Sequence, residues 1–127
     1  MDIHYNLNVL YYTRYIFGGF TEKAWSSFGS YMPDKNAFIF SLVNHEDKEF
    51  ILKCQNVKYA IYCAPDHGPS FGNWDICIAN DSNLNKWSRS RIESFQNPDL
   101  EFKQFSNLAG EQYFQTVEIE VFERILN

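Results

Sequence analysis

Positive charge is scarce in this chain. Eleven lysines and arginines stand against sixteen aspartates and glutamates, a net charge of −5, which removes most of the attraction that nucleic acid or an anionic membrane surface would need. Long apolar runs are missing as well. None approaches the ~20 residues of a membrane-spanning helix, and "MDIHYNLNVL" has no positive flank leading into an apolar stretch, so neither membrane insertion nor a signal peptide is expected. Cysteine is sparse: Cys54, Cys63 and Cys77 form an odd set without metal-type spacing, which argues against a disulfide framework and points to a reduced, cytoplasmic compartment. A Gly-x-Gly-x-x-Gly fingerprint, a phosphate loop, heptads and repeats of solenoid length are also absent. No cofactor and no metal are expected.

What is present is aromatic and strand-prone. The 127 residues are 45% apolar and 18% aromatic, enough for one globular core. "AFIFSLV" (37–43), "YAIYCA" (59–64) and "WDICIA" (74–79) read as short buried strands, with "YYTRYIF" (11–17) and "FILK" (50–53) as weaker ones. "YFQTVEIEVFE" (113–123) alternates and reads as the longest strand, with Val117, Ile119 and Val121 on one face and Glu118, Glu120 and Phe122 on the other. "FGGF" (17–20), whose paired glycines mark a sharp bend or a close backbone approach, "SYMPDKNA", "NHEDKE" and "NDSNLNKWSRS" separate the strands. Helix is predicted only as short turns, around 22–27 and 84–90. The fold class is mainly β (α+β): two antiparallel sheets packed as a sandwich with short flanking helices.

"GPSFGNWDICI" (68–78), with Cys63 and His67 just upstream, poses the functional question. Cys63, His67, Asp75 and Cys77 bring thiols, an imidazole and a carboxylate within fifteen positions. A nucleophilic cysteine is not usually kept four residues from its histidine across a turn, and three sulfur and nitrogen ligands without tight pairs do not make a zinc site. The structural alternative has Gly68, Pro69 and Gly72 bracketing an anchored Phe71 in a turn that needs positive φ, with Cys63 and Cys77 as small apolar residues on adjacent strands. Asp75 would then open the next strand and fasten the turn through backbone N–H groups.

Glu118 and Glu120 admit three readings: a general acid/base pair, a solvated face that protects a sheet edge, or a buried structural or partner-contacting carboxylate that must meet a cation or N–H groups. Trp87, set in the polar loop, is the tryptophan expected to be exposed, and so a possible interface anchor. Up to residue 64 six basic side chains offset six acidic ones, whereas beyond it five basic face ten acidic. A partner that feels this field should be basic.

In order, "IFGGFTEKAW" (16–25), "DKNAFIFSLVN" (34–44), "YAIY" (59–62), "GPSFGNWDICI" and "LAGEQYFQTVEIEVF" (108–122) resemble the TLDc domain of the oxidation-resistance proteins and their Rab-GTPase-activating and nuclear-receptor-coactivator relatives. The matching positions are Gly18, Gly19, Phe38, Phe40, Ser41, Gly68, Pro69, Phe71, Gly72, Asp75, Ala109, Gly110, Glu118, Glu120 and Val121. The resemblance implies a β-sandwich without established active-site chemistry. It also implies a non-catalytic protein–protein interaction module, tied to oxidative-stress resistance and to binding peripheral subunits of the vacuolar proton-pumping ATPase. Partner contacts would fall on Asp75, Glu118, Glu120 and Trp87, and the structural motif on Gly18, Gly19, Gly68, Pro69, Phe71, Gly72 and Gly110. Residues 1–15 do not resemble the family's opening. The expected division is a divergent segment 1–15 followed by an N-terminally incomplete TLDc-like domain 16–127, with "VLYYTRYIF" an aggregation-prone edge. The rival readings are an antioxidant enzyme using a reactive cysteine or the Glu118/Glu120 pair, and a truncated fragment without activity.

Overall fold

The structure is a computed structural model that describes residues 3–23, 29–64, 66–96 and 107–126. In chain order the strands are β1 (Ile3–Tyr12), β2 (Tyr15–Thr21), β3 (Ser30–Met32), β4 (Phe38–Val43), β5 (Phe50–Cys54), β6 (Ile61–Cys63), β7 (Ser70–Phe71), β8 (Ile76–Cys77), β9 (Ser88–Arg89), β10 (Phe95–Gln96), β11 (Tyr113–Phe114) and β12 (Glu118–Leu126). They form two antiparallel sheets of six strands, ordered β10-β5-β4-β2-β1-β12 and β11-β9-β8-β7-β6-β3. The expected mainly β sandwich is the observed architecture. Among the described residues the only helical turn is a 3-10 turn, Val57–Tyr59.

Alternation along the strands builds the core. In the first sheet Leu10, Phe17, Ile39, Phe50, Leu52 and Phe95 point inward; in the second, Ile61, Phe71, Ile76 and Phe114 meet them. Edge-to-face rings join the layers, Phe17 to Phe114 at 5.3 Å and Phe71 to Phe95 at 6.5 Å between centroids. That geometry suits the aromatic quadrupole and adds to the burial of large apolar rings.

Several expectations about single elements need correction. "YYTRYIF" is a hairpin rather than one strand: β1 ends at Tyr12, Thr13 turns with φ 49°, and Tyr15 pairs back on Tyr12. Nothing in Thr-Arg advertises that turn, because the residues that favour positive φ are Gly, Asn and Asp. The segment 1–15 contributes to the first sheet. Its residues 3–12 form β1, the longest strand, seated between β2 and β12, so "VLYYTRYIF" is paired rather than a bare edge.

"YFQTVEIEVFE" splits, giving β11 to the second sheet and β12 to the first. Its Thr116 N–H reaches the Ser82 carbonyl and its Val117 N–H the Tyr11 carbonyl as the chain crosses between layers. Residues 84–90 form turns and then β9 instead of a helix; the helix expected at 22–27 falls largely outside the described residues. "FGGF" lies inside β2 rather than in a bend.

Candidate interaction faces

The glycine corner is a brace between sheets. Gly68 N–H donates to the Ile78 carbonyl at 2.7 Å and Ile78 N–H to the Pro69 carbonyl at 3.1 Å, closing the β7–β8 hairpin. Gly72 takes φ +65° and donates to the Ala60 carbonyl at 2.9 Å; Gly68 has no positive φ, so only Gly72 meets the expectation of one. Asp75 lies in the turn before β8 and is fully buried. Its carboxylate accepts N–H groups from Glu93 at 2.8 Å, Ser94 at 2.8 Å and Phe95 at 3.1 Å. It therefore fastens the turn to β10, about twenty residues on and in the other sheet, rather than to its own strand. Burial pushes the carboxyl up to about 6, against the opposing pull of those N–H groups. With no exposed surface, Asp75 has nothing for a partner to touch.

The four reactive groups do not converge. Cys63 faces the core, its thiol 3.7 Å from the Met32 sulfur, while Cys77, opposite Ser70, lies on the outer face of the second sheet. Their strands are not neighbours, because β7 runs between them. His67 Nδ1 is 2.9 Å from the Gly68 carbonyl oxygen and 3.3 Å from the Ser70 hydroxyl. Among the described residues no three His, Cys, Asp or Glu side chains are grouped to hold a metal ion.

Burial raises the Cys77 thiol above its ordinary value and pushes Cys54 up to about 11. Because the thiolate is the nucleophile, and because Cys63 is shut away from solvent in the core, a thiol reagent at pH 7 is expected to modify all three native cysteines at least tenfold more slowly than in the urea-unfolded chain. One cysteine reacting at the unfolded rate, together with peroxide consumption that an alanine substitution abolishes, would establish the antioxidant-enzyme reading.

Register places Glu118 opposite Tyr11, Glu120 opposite Val9 and Phe122 opposite Leu7. These three lie on the outer face of the first sheet, and Ile119 packs against the core, as the alternation predicts. Continued across the sheet, the rows read Phe122–Leu7–Phe20–Phe38–Lys53 and Glu120–Val9–Gly18–Phe40–Ile51. A groove of about 610 Å³ lies on this face, its walls including Leu7, Val9, Phe38, Phe40, Leu42 and Ile51, with Glu49 at one side.

Leu42, Ile51 and Phe122 are each about half exposed, and Phe20 stacks on Phe38 at 4.9 Å. Glu120 accepts the Tyr11 hydroxyl at 3.3 Å; desolvation and that carboxylate raise the Tyr11 phenol above its usual value. Trp87 is 72% exposed, on the loop before β9. The groove was not foreseen. Its signal lay in "FIFSLV", where successive residues of both parities are large and apolar, so the strand carries apolar side chains on two faces.

A two-sheet antiparallel sandwich, braced by a buried aspartate at a glycine corner and carrying an apolar groove on one outer face, defines a β-sandwich domain. The chain belongs to the TLDc domain family, whose family model matches residues 7–124. That match includes most of β1. Comparison with curated proteins gave no match. No helix among the described residues is long and apolar enough to cross a membrane.

Proposed function

We propose that this TLDc domain is a non-catalytic interaction module that docks a protein partner through the outer face of the first sheet. Peripheral subunits of the vacuolar proton-pumping ATPase are the proposed partner, oxidative-stress resistance the setting and the cytoplasm the location. The apolar groove beside Glu118 and Glu120 carries this reading. Contiguous exposed apolar surface on a small domain marks an interaction site, and acidic rims select partners with basic surroundings. Trp87, on a separate loop, is offered as a second anchor.

The test is recovery of pump subunits by the wild type and by a Glu118→Lys, Glu120→Lys double variant of unchanged melting temperature. The wild type should recover them, and the variant should lose roughly tenfold in affinity, about 1.4 kcal/mol. Equal recovery would remove the two acids from the interface. Failure of the wild type would end the pump assignment for this chain.

A further inference from the structure

The outer face of the second sheet carries a single register row across all six strands: Tyr31–Tyr62–Ser70–Cys77–Arg89–Tyr113. Over it lie two rings supplied by the connections that flank β7. The His67 imidazole lies nearly parallel to Tyr62 at 5.9 Å, and Trp74 approaches His67 at 5.7 Å. Tyr31 meets Tyr62 edge-on at 4.7 Å and Tyr59 at 4.8 Å. Trp74 adopts φ +73°, a conformation uncommon for a bulky residue, and this turns a large ring outward on a surface loop.

Between these rings is a hollow of about 410 Å³, lined by Tyr31, Tyr62, Asp66, His67, Ser70 and Trp74 together with Gly72. A second hollow, of about 300 Å³, shares Tyr31 with it and includes Tyr59 and Glu93 in its wall. Each has a carboxylate residue in its wall, and among the described residues neither is lined by a lysine or arginine. The nearest cation on the row, Arg89, is already held by two rings, one of them the Trp74 of this wall. Its guanidinium lies over the Trp74 ring at 5.1 Å and over the Tyr113 ring at 5.4 Å.

We propose that the larger hollow binds the cationic side chain of a protein partner, an arginine or lysine, held over the rings of Tyr31 and Tyr62 with Trp74 as the adjoining wall, and balanced by Asp66. Aromatic faces carry the negative end of the ring quadrupole and attract cations, arginine above all because its planar guanidinium also stacks. An anionic ligand would meet ring faces and a carboxylate of its own sign. A purely apolar ligand would strip water from Asp66, Ser70 and His67 without offering them partners. The long alkyl stem of either basic residue suits walls that are mostly ring. Because this hollow lies on the opposite sheet from the groove beside Glu118 and Glu120, it stands independently of the docking proposal.

The experiment is a two-dimensional NMR titration of the full chain with three blocked tripeptides, Gly-Arg-Gly, Gly-Glu-Gly and Gly-Leu-Gly. Of the indole N–H signals from Trp25, Trp74 and Trp87, the one lost in Trp74→Gly identifies Trp74; glycine tolerates the positive φ there. The arginine peptide should move that signal saturably at millimolar concentration, with the backbone signals of Tyr31 and Tyr62. Asp66→Asn, at an exposed position where the fold is not at risk, should weaken binding about fivefold, and Trp74→Gly should abolish the saturable shifts. Equal shifts with the glutamate or leucine peptide, no saturable shift with the arginine peptide, or unchanged affinity in Asp66→Asn would each overturn the proposal.

Discussion

Replacing Asp75 by alanine is expected to lower the unfolding free energy by about 4 kcal/mol at pH 7, the range seen when a buried charge-assisted network loses its acceptor. The N–H groups of Glu93, Ser94 and Phe95 all end on this one carboxylate, and in the variant they would stay buried without acceptors. A domain of this size has about 5–15 kcal/mol in total, so the variant should sit near its unfolding transition. Urea denaturation of the two proteins measures the difference. A loss below about 1 kcal/mol would mean that water replaces the carboxylate at little cost.

The same comparison has a pH signature. Folded Asp75 holds its proton up to about 6, against an ordinary value of 3.8, so between about pH 4 and 6 the folded state binds more protons than the unfolded chain. A raised value of this kind contributes stability that is fully present below the unfolded value and is lost as pH rises through the folded one. The alanine variant lacks the titration. The stability gap between wild type and variant should therefore widen as pH falls from 7 to 4. A gap that narrows instead would show the N–H groups outweighing burial and holding the anion.

Gly19→Ala is expected to cost about 2 kcal/mol, the usual penalty for forcing an extra group into a packed core. A Cβ there would stand 2.6 Å from two ring carbons of Phe71 and 2.8 Å from a third. Phe71 is fully buried and rests on Phe95, so it has nowhere to retreat. Trimming the ring should relieve the clash: Gly19→Ala combined with Phe71→Leu should be less destabilised than the sum of the two single variants. Simple additivity in thermal or urea unfolding would show that the two residues do not press on each other.

These two positions show how far the residues could be read in advance. The paired glycines of "FGGF" signal close approach, and the approach is real, yet its direction came from the other sheet. Gly19 turns inward to Phe71, while Gly18 falls on the outer face in register with Val9 and Phe40. Asp75 was readable as a carboxylate that accepts backbone N–H groups. Its donors lie about twenty residues on, where no local pattern connects them. Glu118 and Glu120 share one face with Phe122, as alternation assigned, because a strand of nine residues fixes its own parity; which side of the sheet that face took was decided by the packing. The thiol and imidazole near residue 67 lay close in sequence without meeting at one site, since Cys63 takes the inner face of β6 while His67, in the connection before β7, lies against Tyr62 on the outer face.

The sequence by itself determined the class of fold, the glycine corner and the face that Glu118 and Glu120 share with Phe122, because each depends on period-two alternation or on the backbone needs of single residues. Only the tertiary structure decided that residues 3–12 are an internal strand and that 113–126 serve two sheets. It alone joined Asp75 to β10, and it gathered the aromatic row of the second sheet from strands scattered between residues 31 and 113. Strand pairing across long separations is set by which faces can be buried together, and that information belongs to the assembled layers rather than to any stretch of chain.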